Sequence, residues 1–149
     1  MKVRDVMEKN VIAVKKGATY EEVARILDKQ GIKGAPVVDE NNVVIGVVSE
    51  KDLYKILYPF YSSFYDHPEL YVDFENRESK IDEVRGKKVE EFMSRNTVSV
   101  SPDSPVMRAG AMMIAKGVHR LPVIENGKLV GIVTRSKIYR TLLRNRLAL

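Results

Sequence analysis

The sequence predicts a mixed α/β (α+β) protein built from two βαββα units packed sheet to sheet with pseudo-twofold symmetry. An internal repeat, recurrent helix caps and turn residues at matching places lead to that class. Val3-Arg-Asp-Val-Met-Glu-Lys-Asn10 recurs as Val89-Glu-Glu-Phe-Met-Ser-Arg-Asn96. Gly31-Ile-Lys-Gly-Ala-Pro-Val-Val38 recurs as Gly117-Val-His-Arg-Leu-Pro-Val-Ile124, also 86 residues on. After a one-residue deletion, Gly46-Val-Val-Ser49 returns as Gly131-Ile-Val-Thr134. One copy is too small to cover both its sheet and its helices, whereas two copies together can. The division expected is a first repeat at 1–57, an intervening segment at 58–88 and a second repeat at 89–149.

Each element follows from local chemistry. A first strand is expected at 11–14 and, in the second copy, at 97–100. A helix then starts after Thr19, because Thr19-x-x-Glu22 is a capping box and Val23, Ile26 and Leu27 fall on one helical face. Gly31, repeated as Gly117, stands where a left-handed C-terminal cap is wanted. In the second copy Ser104 is expected to cap, with Pro105 at the first helical position, where a missing N–H is tolerated. Strands follow at 35–38 and 43–48, joined by the turn-forming Asp39-Glu-Asn-Asn42. The second copy shortens this turn to Glu125-Asn-Gly-Lys128, the signature of a tight hairpin. Final helices are expected from Glu50 and from Arg135.

Composition narrows the function. The chain has 149 residues, 44% hydrophobic and 30% charged, with no cysteine. Disulfides, thiolate catalysis, iron–sulfur clusters and cysteine zinc sites are therefore excluded. No apolar run approaches a membrane span, and the start, Met1-Lys-Val-Arg-Asp-Val-Met7, lacks a signal-like apolar stretch, so a cytoplasmic setting is expected. With histidine only at 67 and 119, no nucleophile–base–acid set or paired-carboxylate signature can be assembled, and the chain is not expected to be an enzyme. No Walker loop occurs. The net charge of +5 is uneven: residues 1–57, 58–88 and 89–149 carry +1, −2 and +6. An anionic ligand or partner is thus expected near the last third.

Residues 58–88 differ in character. Seven of the eleven aromatic residues lie there: Tyr58, Phe60, Tyr61, Phe64, Tyr65, Tyr71 and Phe74. A flexible linker would be rich in Gly and Ser and poor in aromatics. The segment is expected to be ordered, capping the module or lining a subunit interface; a lid over a ligand and a partner patch are the alternatives. A metal site at Asp66, His67, Glu69 and Asp73 is weighed against, because acidic loops are mostly just solvated.

The segment Gly46-Val-Val-Ser-Glu-Lys-Asp52 carries the chemistry. Gly46 would let the strand approach a ligand closely. Ser49 stands where strand gives way to helix, among free backbone N–H groups that favour anions and polar ligand atoms. Asp52, on the first turn, could accept two hydrogen bonds from a vicinal diol. The plainer alternative is an N-cap and a carboxylate opposite the helix dipole. In the second copy, Gly131-Ile-Val-Thr-Arg-Ser-Lys137, the aspartate is replaced by Lys137, which cannot accept from a diol.

These segments, with Gly-Ile-x-x-x-Pro-Val and Gly-Val-His-Arg-Leu-Pro-Val, resemble a tandem pair of CBS domains (a Bateman module) over nearly everything outside 58–88. The resemblance implies a stand-alone regulatory sensor of AMP, ADP, ATP or S-adenosylmethionine that acts on a partner in trans. It also implies a homodimer of such pairs. It assigns one main inter-repeat cleft in which Ser49 and Asp52 anchor the ribose. Val47, Thr97 and Val98 would line the base, with Pro122 closing the apolar wall. His119 would meet phosphate, with Arg135 and Ser136 as further candidates; Arg120 would reach phosphate or point across a dimer interface, and Lys33 would serve the mirror cleft or a long phosphate tail. A mirror cleft of Ile12, Ala35, Pro36, Ile132, Thr134 and Lys137 lacks the aspartate and is expected to be empty, weak or occupied differently.

Two other readings remain in view. Lys137, Arg140 and Arg144 form a basic stripe on the last helix, beside Tyr139, which suits nucleic acid. The chain could instead be an adaptor whose 58–74 aromatics bind a protein.

Overall fold

Thr19 opens the first long helix as its capping residues require. Its hydroxyl accepts from the Glu22 N–H at 3.2 Å and its own N–H donates to the Glu22 carboxylate at 2.9 Å. In the computed structural model, residues 1–58, 65–66, 68–71, 74–95 and 97–149 are described. Phe60, Tyr61, Phe64, His67 and Asp73 lie outside them, as do the side chains of Tyr71 and Phe74. The chain forms two compact units. One comprises Met1–Ile12, Glu40–Val44 and Asn96–Leu149, the other Ala13–Asp39 and Ile45–Arg95.

The second of these units holds β1 (Val14–Lys15), α1 (Tyr20–Gln30), β2 (Gly34–Val38), β3 (Val44–Ser49, from Ile45 on) and α2 (Glu50–Lys55). They form a three-stranded sheet in the order β1-β2-β3, with β1 parallel to β2. Val23 and Leu27 on α1 meet Ala35, Val37 and Val48 in its core. Tyr20 is also buried, and its hydroxyl donates to the Leu53 carbonyl at 2.7 Å, tying α1 to α2. Further on, α3 (Lys80–Val84) is followed by a 3-10 turn at Val89–Glu91.

The other unit holds a 3-10 turn at Val3–Asp5, then α4 (Val106–Lys116), β4 (Arg120–Glu125), β5 (Lys128–Thr134) and α5 (Arg135–Leu147). β4 and β5 form an antiparallel hairpin. Its Asn126 and Gly127 have φ of 53° and 75°, the left-handed pair of a type I′ turn that Asn-Gly favours. Gly31 and Gly117 close α1 and α4 in the left-handed conformation, as expected.

Each repeat begins in the core of the other. Val3 and Val6 of the first repeat pack with Leu121, Val123, Val133 and Ile138 of the second. Val89 and Met93, which open the second repeat, pack with Val14, Val37 and Val48 of the first.

Two expectations need correction. The first strand is shorter than four residues: β1 has two, and in the second copy a single parallel bridge, Val100 to Val123, takes its place. The ladder there runs from the Val100 N–H to the Pro122 carbonyl and from the Ile124 N–H to the Val100 carbonyl. Extending it to residue 98 would need an N–H from Pro122, and proline has none. Pro36 imposes the same stop on β1. The start of α4 also moves by one residue, since Pro105 rather than Ser104 is the N-cap. The Ser104 carbonyl accepts from Val3 N–H at 2.8 Å, and its hydroxyl pairs with Ser101.

Glu21 on α1 makes a pH prediction. Hydrogen bonds from the Arg85 and Arg25 guanidiniums hold its carboxyl down to about 2. A carboxyl lowered by folding stabilises the protein above its unfolded value of about 4.3. That contribution is lost as pH falls from there towards 2. Urea midpoints of wild type and Glu21→Gln measured against pH should therefore differ at pH 6 and converge in that window.

Candidate functional site

The strand-to-helix corner between β3 and α2 carries the candidate ribose anchors. Ser49 is the N-cap of α2, with extended φ and ψ of −134° and 167°. Its N–H donates to Asp52 Oδ2 at 2.8 Å and its hydroxyl to the same oxygen at 3.1 Å. Both residues are half-buried. Oδ1 takes no hydrogen bond from a described residue, so the carboxylate is oriented and still able to accept. The capping role and a ligand role are therefore compatible at one side chain. The Lys33 carbonyl, just before β2, accepts from the Glu50 N–H at 2.9 Å and pins the start of α2 beside Lys33.

The second copy repeats the backbone of this corner with other side chains. Thr134 caps α5, its hydroxyl accepting from the Lys137 N–H at 3.2 Å. Arg135 N–H donates to the His119 carbonyl at 2.9 Å, the counterpart of Glu50 and Lys33. His119 and Arg135 are thus brought together, with Arg120 at the start of β4. His119, Arg135, Ser136 and Lys137 are exposed. No carboxylate occupies the Asp52 position.

Gly46 has a different use from the one expected. A Cβ there would lie 2.6 Å from Met93 Sδ and 2.9 Å from the Ser94 carbonyl. The strand instead comes close to the turn that opens the second repeat, and Val47 exchanges two backbone hydrogen bonds with Ser94, each 2.9 Å. Gly131 repeats this against Met7 and Glu8 at 2.9 and 3.0 Å, with Ile132 paired to Glu8. The backbone of Val47 is therefore committed, leaving its half-exposed side chain as what it can offer a ligand. These glycine–turn pairs were absent from the sequence reading. The signal that could have found them is the co-repetition of Gly46/Gly131 with Met93/Met7.

The remaining expected residues divide simply. Ala35, Pro36 and Pro122 are buried in β2 and β4, whereas Thr97, Val98, Ile12, Ile132 and Thr134 are half-buried. Lys33, Val47, Ser49, Asp52, Ala35 and Pro36 belong to the unit around β1–β3, and the others to the unit around β4–β5. Among the described residues no cluster of three His, Asp or Glu side chains could hold a metal ion. Among them, too, no helix is long and apolar enough to cross a membrane.

Comparison with known proteins agrees with the repeat. The family model for the CBS domain matches residues 3–59 and 89–144. A CBS domain-containing protein of Dictyostelium discoideum is 29% identical over 95% of this chain and 91% of its own length. The crystal structure of CBSX2 in complex with AMP superposes with a TM-score of 0.74 at 27% identity, covering 97% of this chain and 98% of that one. The CBS domain pair of protein MJ0100, in complex with 5′-methylthioadenosine and S-adenosyl-L-methionine, gives 0.71 at 26% identity over 95% and 99%. Other relatives are longer: the chain spans 42% of one from Methanocaldococcus jannaschii and 14% of one from Aquifex aeolicus.

Proposed function

Because the chain belongs to the CBS domain family, we propose that it is a regulatory module that binds an adenosine-containing ligand and acts on a separate partner. The observation that carries the reading is the Ser49–Asp52 corner: a half-buried carboxylate, oriented by two donors on Oδ2 and able to accept at Oδ1. A ribose diol supplies two adjacent O–H donors, and a carboxylate is the side chain matched to them. AMP in one similar structure, and 5′-methylthioadenosine with S-adenosylmethionine in another, support the ligand class. AMP, ADP, ATP and S-adenosylmethionine all share that diol.

Val47, Thr97, Val98 and Pro122 are proposed as apolar walls for the base. His119, Arg120, Arg135, Ser136 and Lys33 are proposed as contacts for phosphate, or Arg135 and Lys33 for a longer anionic tail. Ile12, Ala35, Pro36, Ile132, Thr134 and Lys137, the set without an aspartate, are proposed as ordinary wall residues of weak or no affinity. Regulation follows if the ligand favours one of several conformations that the partner distinguishes. A cytoplasmic setting, a homodimer and the absence of catalysis belong to the same proposal.

The test is a thermal-shift series with AMP, ADP, ATP and S-adenosylmethionine on wild type, Asp52→Ala and His119→Ala. Ligand at about a hundred times its dissociation constant should stabilise the protein by about 2.7 kcal/mol. Asp52→Ala should abolish the shift for every ligand, and His119→Ala only for those bearing phosphate. A shift that survives Asp52→Ala would sink the ribose assignment. A chain that responds to none of the four ligands would overturn the sensor reading itself.

A further inference from the structure

Among the described elements, the last helix, α5, is the most one-signed. Its thirteen residues include Arg135, Lys137, Arg140, Arg144 and Arg146 and no acidic residue. All five are exposed, and among the described residues none of their side chains makes an ion pair or hydrogen bond. Five arginines elsewhere are used internally: Arg4 bonds Asp103, Arg25 and Arg85 bond Glu21, Arg77 bonds the Leu57 carbonyl and Arg95 the Glu90 carbonyl. The cations of α5 are therefore not needed by the fold.

Helix electrostatics does not account for them either. Arg144 and Arg146 suit the negative C-terminal end, but Arg135 and Lys137 sit in the first turn, where the dipole disfavours positive charge. An anion from outside would offset that placement. Ile138 is buried in the core with Leu142 packed against it, and helical spacing puts Lys137, Arg140 and Arg144 on the opposite side. The stripe is about 10 Å long at 1.5 Å per residue, the axial rise of about three nucleotides of one duplex strand at ~3.4 Å each.

We propose that this face of α5 binds the sugar-phosphate backbone of nucleic acid without sequence preference. The choice among polyanions follows from what the stripe lacks. Docking of an acidic protein needs an apolar centre within the polar rim, and between Lys137 and Arg144 the stripe has none. Lying on an anionic membrane needs an apolar helix face free to insert, and that of α5 is spent on the core. Phosphate-backbone binding needs only spaced cations, preferably arginines with their two-pronged guanidinium. Tyr139, 62% exposed on the flank of α5 about 100° round from Arg140, offers a ring on which a base can stack.

Fluorescence anisotropy of a labelled twenty-nucleotide oligothymidine tests this, with the full chain at 50–200 mM salt. Arg140 and Arg144 lie outside the proposed adenosyl site, so Arg140→Ala/Arg144→Ala should leave the melting temperature and any AMP-induced shift unchanged. Wild type should bind with an affinity that falls steeply with salt. The double variant should lower the log–log salt slope by about 1.4, two contacts at about 0.7 each on single strands. No binding at 50 mM salt, an unchanged slope in the double variant, or tighter binding of polyglutamate or of phosphatidylserine vesicles at equal ionic strength would each overturn the proposal.

Discussion

Removing residues 1–9 is expected to unfold the unit that contains β4 and β5. Those residues supply Val3 and Val6 to its core, and Val3 has no exposed surface. Burial of each valine is worth about 1.5–3 kcal/mol. The same stretch makes five backbone hydrogen bonds with the second repeat: Val3 to Ser104, Arg4 to Pro102, Met1 to Val106, and two between Glu8 and Ile132. Each contributes about 0.5–1.5 kcal/mol net. The total loss is about 5 kcal/mol or more, comparable with the whole stability of a typical domain. Amide exchange should report it as loss of protection along β4 and β5. Retained protection there would show that the opening turn is an ornament rather than part of the core.

Gly46→Ala is the second large effect, and a single methyl group causes it. The new carbon would sit 2.6 Å from Met93 Sδ and 2.9 Å from the Ser94 carbonyl oxygen. The methionine can swing aside. The carbonyl cannot, because Val47 and Ser94 are locked by their paired hydrogen bonds. Overpacking of this kind costs about 1–3 kcal/mol, a fall in melting temperature of about 3–10 °C for a chain of this size. Gly131→Ala should act in the same direction against Met7 and Glu8. Gly110, inside α4 with nothing within 4 Å of a Cβ, is the control, and its substitution by alanine should not lower the melting temperature. Equal behaviour of Gly46→Ala and Gly110→Ala would refute the close-approach reading.

What was legible in the sequence was local. Thr19 with Glu22, Gly31 with Gly117, and Asn126-Gly127 each state their conformation within four residues, and the structure agrees at all of them. What was not legible depends on partners far along the chain. Residues 11–14 look like a strand, and only the proline opposite them in register shows why so little of that run pairs. Ser104 looks like a cap until Val3, a hundred residues earlier, takes its carbonyl. Gly46 suggests access for a ligand, yet the atoms that crowd it come from Met93 and Ser94. At the candidate site, Ser49 and Asp52 were readable because their relation is local. The commitment of Val47 to Ser94 was not.

The interleaving of chain segments also sets an order of events on the ribosome. The unit around β1–β3 uses nothing beyond Arg95, so its parts are all present once that residue has emerged. The unit around β4–β5 needs Met1–Ile12 together with Asn96–Leu149, and the second of these segments emerges only after the whole of the other unit. Its opening valines must wait, unsheltered, through the synthesis of more than a hundred residues before the strands that cover them exist. Domains generally fold as units and in the order of synthesis, so protease resistance of ribosome-stalled chains should appear first around β1–β3. Residues 1–12 should become protected only once residues 96–149 have emerged. Residues 1–12 thus fold with a segment made some hundred residues after them, and later than the unit that lies between the two in sequence.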